Sequence, residues 1–200
     1  MLNKQRNTVK MLLESGSKLL LLVVMLLGLS ACATEAKDPS TDVLKQPIDP
    51  SILAPTHEQA ADIQSLATKG VKVFQVGATM MIILPSDQVF NPGSANLNTD
   101  YLSTLDSIAN LMSTYDKEDV RVNAYTDNLL TKEMSQALST RQAQVLTNYL
   151  WAKSTDSRLM YANGEGQLSP VAANNTQLGI EQNRRVVISF KFYPKLHEWD

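Results

Sequence analysis

Two stretches of helical periodicity, each followed by a strand-like stretch, limit the folds that this chain can adopt. A helix is predicted to begin at the N-capping residue Thr99, because apolar side chains then recur at steps of three and four residues. A second helix is predicted from about Lys132 to Ala152. Each apolar helix face has to be buried against another element. The inward-facing residues are predicted to be Leu102, Leu105, Ile108, Ala109, Met112 and Tyr115 in the first helix, and Met134, Ala137, Leu138, Val145, Tyr149 and Ala152 in the second.

Strand patterns supply the partner surface. Alternating or apolar runs occur at residues 71–76, 79–85, 120–124, 158–162 and 185–193, and the second run stops at a proline. The order is hairpin, helix, strand, helix, strand, loop, strand. It predicts an α+β sandwich, in which two main helices cover one face of a mixed four-stranded sheet with an N-terminal edge hairpin. Leu105, Ile108, Leu138, Val145, Val186 and Ile188 are expected to meet in its core.

The first 31 residues have the pattern of an export signal. Basic residues are followed by an uncharged run of 12 residues from Leu19 to Ser30, which is shorter than the roughly 20 residues that cross a bilayer. The run ends in Leu-Ser-Ala-Cys, which resembles the lipobox of bacterial lipoproteins. Cys32 is therefore predicted to carry palmitate and diacylglycerol, and the uncharged Ala33, by the same resemblance, implies transfer to the outer membrane. An ordinary signal peptide with a stray cysteine, or an uncleaved signal anchor, are the alternatives.

The rest of the chain divides into a linker and a domain. Residues 32–69 contain four prolines and few periodic apolar positions, which predicts an acylated cysteine and a flexible periplasmic linker that ends in a short helix at about 57–68. Residues 70–200 are predicted to form the domain. Without residues 1–31 the chain has 14 basic and 19 acidic residues, so we expect no nucleic-acid partner. Because Cys32 is the only cysteine and His57 has no neighbouring ligand cluster, no metal or cofactor is expected.

Four motifs follow one another in the domain. They are F-N-P-G-S-A-N-L from Phe90, A-Y-T-D ending at Asp127, L-S-T-R-Q-A from Leu138, and N-x-x-x-G-x-x-x-N-R-R-V from Asn175. In this order and at these distances they resemble the OmpA-like C-terminal domain, the fold shared by the peptidoglycan-associated lipoprotein and the flagellar protein MotB. The resemblance covers the chain from about Val71 to Phe192.

The resemblance implies noncovalent binding of peptidoglycan through the diaminopimelate of its stem peptide. In the family an aspartate of the T-D pair accepts from the ligand ammonium, and an arginine before the alanine of R-A binds the ligand carboxylate. Here the first role falls to Asp127 and the second to Gln142. The residues expected to line the ligand site are Asp127, Gln142, Thr126, Gly93, Arg141, Arg184 and Arg185.

Two departures from the family pattern weaken that expectation. Gln142 is an amide where the family has a guanidinium, which can form a charged, two-pronged contact with a carboxylate. Leu130 replaces the usual glycine that follows the T-D pair. Alternatively, Asp127 does not contact a ligand and only caps its own turn or the helix that follows. Consecutive strand residues face opposite sides, so only one of Arg184 and Arg185 is expected to border the ligand.

Two functions follow from these observations. The first is an outer-membrane lipoprotein that binds peptidoglycan and tethers the envelope, or an envelope machine, to the wall. The second is a structural subunit of a secretion-system outer-membrane core with a degenerate cleft, since the acylated single-domain build also resembles the IcmN/DotK lipoproteins of type IVB (Dot/Icm) systems. No catalytic triad or phosphate-binding loop is recognisable, so we do not expect an enzyme.

Overall fold

A computed structural model describes residues 53–153 and 159–193 of the 200-residue chain. The predicted signal peptide, Cys32 and most of the predicted linker lie outside these residues. In the described ranges, no helix is both long and apolar enough to cross a membrane.

Five helices and five strands make up the described part of the chain, and a 3-10 turn at Thr99–Tyr101 leads into α3. The helices are α1 His57–Thr68, α2 Ser86–Val89, α3 Leu102–Ser113, α4 Lys132–Ala152 and α5 Gln177–Asn183. The strands are β1 Lys72–Val76, β2 Thr79–Pro85, β3 Asp116–Tyr125, β4 Leu159–Gly166 and β5 Arg185–Tyr193.

The five strands form one mixed sheet in the order β1-β2-β5-β3-β4. The β3–β4 pair is parallel and the other pairs are antiparallel, with α4 as the crossover between the parallel strands. The predicted α+β architecture is confirmed. The sheet has five strands rather than four because the predicted N-terminal hairpin joins it through β2, where Ile82 pairs with Ile188 of β5.

The core lies between the sheet and the helices α3 and α4. β2, β3 and β5 each turn alternate apolar side chains toward it, including Ile82, Val122 and Ile188, which are fully buried. The predicted inward face of α3 is confirmed, since Leu105, Ile108, Ala109 and Met112 are all buried in this core.

The predicted inward face of α4 is partly wrong. Met134 is 56% exposed, whereas Ser135 and Ser139 are fully buried and begin a stripe that continues through Ala143, Leu146 and Leu150. Val145 and Tyr149, which were predicted to face inward, are half-buried and contact the core. The stripe begins with serines because their hydroxyls bind the polar groups at the end of β4: Ser139 Oγ accepts from the Gly166 amide at 2.9 Å, and Ser135 Oγ accepts from Gln167 at 3.1 Å.

The predicted linker ends earlier than residue 69. The helix expected at 57–68 forms as α1, with a Thr56–Gln59 capping box at its start. Leu66 is 1% exposed within the core cluster, and Gln59 donates to the Thr114 hydroxyl at 2.9 Å. Because α1 is held by the same core as the sheet, it belongs with the domain.

Candidate ligand-binding cleft

An open cleft of about 430 Å³ lies at the end of the sheet where β2 and β3 stop and β5 begins. Its lining combines apolar side chains with charged and polar ones. The cleft is lined by Ser86, Asp87, Phe90, Asn91, Pro92, Gly93, Tyr125, Thr126, Asp127, Leu129, Leu130, Leu138, Gln142 and Arg184.

Asp127 lies two residues after the end of β3 and is only 5% exposed. The strand pairing with β4 extends one residue further, because the Thr126 amide donates to the Gly166 carbonyl at 2.7 Å. Asp127 Oδ1 then accepts from the Leu129 amide at 2.9 Å, which closes the turn after the strand. Asp127 therefore does cap its turn, as the alternative prediction held, and it also lines the cleft.

Arg184 connects two carboxylates in the cleft. Its Nη1 donates to Asp127 Oδ2 at 2.9 Å. Its Nε lies 2.8 and 2.9 Å from the two oxygens of Asp87, and its Nη2 lies 2.6 Å from Asp87 Oδ2. The hydrogen bonds to Asp87 are the main reason that the pKa of Arg184 is raised above its ordinary value, although burial acts in the opposite direction.

Gln142 reaches the cleft from α4 and is 6% exposed. Its Nε2 donates to the Ser94 carbonyl at 2.9 Å, so the amide joins α4 to the loop that contains Gly93. Gly93 has φ +66°, a conformation that favours glycine, at the tip of this loop. Leu130 is 37% exposed and is one of the apolar residues that line the cleft.

The charged side chains that line the cleft are Asp87, Asp127 and Arg184. These three side chains carry a net charge of minus one. The cleft can therefore bind a cation or an ammonium group more readily than an anion. In the described ranges, no group of three or more histidine, cysteine, aspartate or glutamate residues could hold a metal ion.

Five of the seven predicted site residues meet in the cleft, and two do not. Arg141 is exposed on α4, about 100° around the helix from Gln142. Arg185 lies on the opposite side of β5 from the core-facing Val186, where its guanidinium stacks on the Tyr125 ring at 3.9 Å. It also donates to the carbonyls of Asn183 and Ser169, and burial lowers its pKa. The structure therefore places Arg141 and Arg185 outside this cleft, and Arg184 is the one of the arginine pair that borders it.

Ser86 and Asp87 were not predicted as site residues. They form the first turn of α2, directly after β2 ends at Pro85. Ser86 is 5% exposed, and its hydroxyl has no hydrogen-bond partner among the described residues. The sequence signal for these two site residues was their position directly after a strand-ending proline. The pairing of Asp87 with Arg184 could not be predicted, because the two residues are 97 positions apart in the chain.

Sequence comparison agrees with the motifs. Residues 89–184 match the model of the OmpA family. The probable lipoprotein YiaD of Escherichia coli is 31% identical over 120 residues, which cover 60% of this chain and 55% of YiaD. The outer-membrane lipoprotein YfiB of Pseudomonas aeruginosa is 28% identical over 174 residues, covering 86% of this chain and 92% of YfiB. The peptidoglycan-binding protein ArfA of Mycobacterium bovis is 31% identical over 98 residues, covering 49% of this chain and 30% of ArfA.

Structure comparison agrees on the fold. The cell wall anchor of the type VI secretion system from Pseudomonas aeruginosa superposes with a TM-score of 0.61 at 24% identity, covering 68% of this chain and 97% of that one. The family match covers residues 89–184, and this likeness shows that the fold is that of an OmpA-like domain. The chain spans about half the length of YiaD, so the shared region is the domain rather than the whole of that relative.

Proposed function

We propose that this protein is an outer-membrane lipoprotein, acylated at Cys32, whose periplasmic OmpA-like domain binds peptidoglycan noncovalently through the diaminopimelate of the stem peptide. The observation that carries the proposal is the negatively charged cleft, which presents the carboxylates of Asp127 and Asp87 to an ammonium group. The names of YiaD and YfiB support the lipid anchor, and the name of ArfA supports peptidoglycan as the ligand. The domain acts as a binding module rather than an enzyme.

The direction in which the chain enters the domain supports a tether between membrane and wall. The Leu53 carbonyl accepts from Gln75 at 2.6 Å, and Gln75 also reaches the Gly77 carbonyl in the β1–β2 turn. The cleft lies at the other end of β2, a strand of seven residues or about 23 Å. Residues 33–52 can add at most about 70 Å between the acylated cysteine and this entry point. A linker of this reach can place the domain near the wall.

A second function is favoured by the internal contacts of two predicted ligand-binding residues. Asp127 is already paired with Arg184, and Gln142 already donates to Ser94. Groups of the protein itself thus occupy the positions expected to receive the ligand. This observation favours a structural subunit in the outer-membrane core of a secretion system, such as a type IVB machine, in which the domain works through protein contacts.

Binding of the full-length protein to purified peptidoglycan sacculi distinguishes the two functions. The protein, purified in detergent, is mixed with increasing amounts of sacculi and sedimented. Saturable co-sedimentation that weakens as salt rises supports the wall-binding function, because the contact is between charges. If the protein stays in the supernatant but co-purifies from envelopes in fixed ratio with other proteins, the structural function is supported instead.

A further inference from the structure

Arg184 is the only guanidinium among the residues that line the cleft, and it is already committed to carboxylates of this chain. Its Nε, Nη1 and Nη2 all donate to Asp87 or Asp127. A guanidinium held between two carboxylates attracts a third one weakly, since the three groups together carry a net negative charge. Arg184 is therefore a poor receptor for a ligand carboxylate.

Gln142 cannot supply the missing positive charge. Its side chain is a neutral amide that is 6% exposed and fixed to the Ser94 carbonyl. An amide offers both a donor and an acceptor, so it is suited to contact another uncharged polar group. A ligand carboxylate at this position would lose its hydration without gaining a charged partner, which is costly.

Asp87 and Ser86, which also line the cleft, offer acceptors in addition to the buried Asp127. The Asp87 side chain is 50% exposed, against 7% for that of Asp127, so Asp87 is the carboxylate that an incoming ligand can reach more easily. The preceding residue, Ser86, also lines the cleft, and its buried hydroxyl has no hydrogen-bond partner among the described residues. An ammonium group carries three donors and can use several such acceptors at once.

We infer that the cleft selects an ammonium group with no free carboxylate beside it, with Asp87 and Ser86 binding the ammonium together with Asp127. This inference rests on the proposed function. Two forms of the stem peptide present that chemistry: diaminopimelate whose side-chain carboxylate is amidated, and lysine, which has no carboxylate at that end. Unmodified diaminopimelate presents an ammonium and a carboxylate on the same carbon and is disfavoured.

Calorimetric titration of the full-length protein in detergent with three synthetic stem tripeptides tests the inference. The peptides differ only in the third residue: diaminopimelate, its side-chain amide, or lysine. We expect the amide and the lysine peptides each to bind at least about tenfold more tightly than the free acid. The side-chain carboxylate of the free acid would be desolvated in the cleft without a charged partner. Whichever of the two binds more tightly identifies the preferred source of the ammonium.

Two variants connect the selectivity to the named residues. Gln142→Arg is expected to reverse the order, so that the free acid binds most tightly, whereas Gln144→Arg adds the same charge at an exposed position of α4 and should leave the order unchanged. Asp87→Asn is expected to reduce the preference to less than about threefold, because it weakens the contacts that hold the Nε and Nη2 groups of Arg184 while Nη1 stays with Asp127. If Asp87→Asn does not fold, the inferred selectivity is tested by whether Gln142→Arg reverses the order of affinities.

The possible failures of the two proposals differ. If none of the three peptides binds saturably, the peptidoglycan function itself is wrong. If the peptides bind but either the amide or the lysine form fails to bind more tightly than the free acid, the selectivity is wrong while the function stands.

Discussion

At the scale of single residues, Asp127 shows that a turn-forming role and a place in the cleft are compatible. One carboxylate oxygen accepts the Leu129 amide and closes the turn, while the other accepts from Arg184. The sequence presented these roles as alternatives. The two oxygens of a carboxylate can serve different partners, so the residue does both.

A second single residue, Tyr101, predicts how the stability of the domain depends on pH. Burial raises the pKa of Tyr101 to about 12 from 10.0, and its hydroxyl has no hydrogen-bond partner among the described residues. The folded state disfavours the phenolate, so the pKa shift of Tyr101 contributes to the free energy of unfolding. This contribution, roughly 2–3 kcal/mol, is fully present below pH 10 and is lost as the pH rises toward 12. Tyr101→Phe should therefore lose less stability than the wild type between pH 10 and pH 12, as measured by denaturant unfolding at each pH.

Tyr101→Phe should also raise the free energy of unfolding at pH 7 by about 1 kcal/mol, since it removes an unpaired buried hydroxyl. Tyr161→Phe is the matched control, because Tyr161 is 43% exposed. Equal alkaline losses in the wild type and in Tyr101→Phe would contradict this explanation.

At the scale of elements, the contact between α4 and β4 depends on Gly164. A Cβ at this position would overlap the backbone of Thr140 in α4. Gly164→Ala should therefore force the helix and the strand apart and lower the free energy of unfolding by about 3 kcal/mol, the upper end of the range for overpacking. Thermal and urea unfolding of the purified variant measure the loss.

Gly77→Ala is the comparison for this variant. Gly77 has φ +57° in the β1–β2 turn, but a Cβ there would meet no atom within 4 Å. Gly77→Ala should therefore lower the free energy of unfolding only through backbone strain, by roughly 1–2 kcal/mol. If Gly164→Ala costs no more than Gly77→Ala, the close approach of α4 to β4 does not determine the stability of this layer.

The elements also show how far the sequence could predict this molecule. The bounds of α4 and β5 were predicted because apolar periodicity is a local signal. The inward face of α4 was not, since the serines that begin it bind groups at the end of β4, which the sequence of the helix does not contain. Asp87 was missed for a similar reason: its role depends on Arg184, which only the folded sheet brings next to it.

At the scale of the whole molecule, the proposed function requires a lipid on Cys32 and a peptidoglycan ligand in the cleft. Cys32→Ser should abolish palmitate labelling and outer-membrane fractionation, because the thiol that accepts the lipid is removed. The thermal unfolding of the domain should be unchanged, since residues 53–193 contain no cysteine. Labelling that persists in Cys32→Ser would contradict lipoprotein processing at this residue.

The most direct test of the central claim is the affinity of the cleft for soluble diaminopimelate-type muropeptides, with the side-chain carboxylate free or amidated, measured by fluorescence anisotropy with full-length wild type and Asp127→Asn. We predict saturable binding by the wild type and a loss of about tenfold or more in Asp127→Asn, because a hydrogen bond to a charged group contributes roughly 1.5–3 kcal/mol. Glu58→Gln, which removes an exposed charge on α1 outside the cleft, should bind as the wild type does. The proposed peptidoglycan binding is contradicted if the wild type shows no saturable binding, or if a correctly folded Asp127→Asn binds as tightly as the wild type.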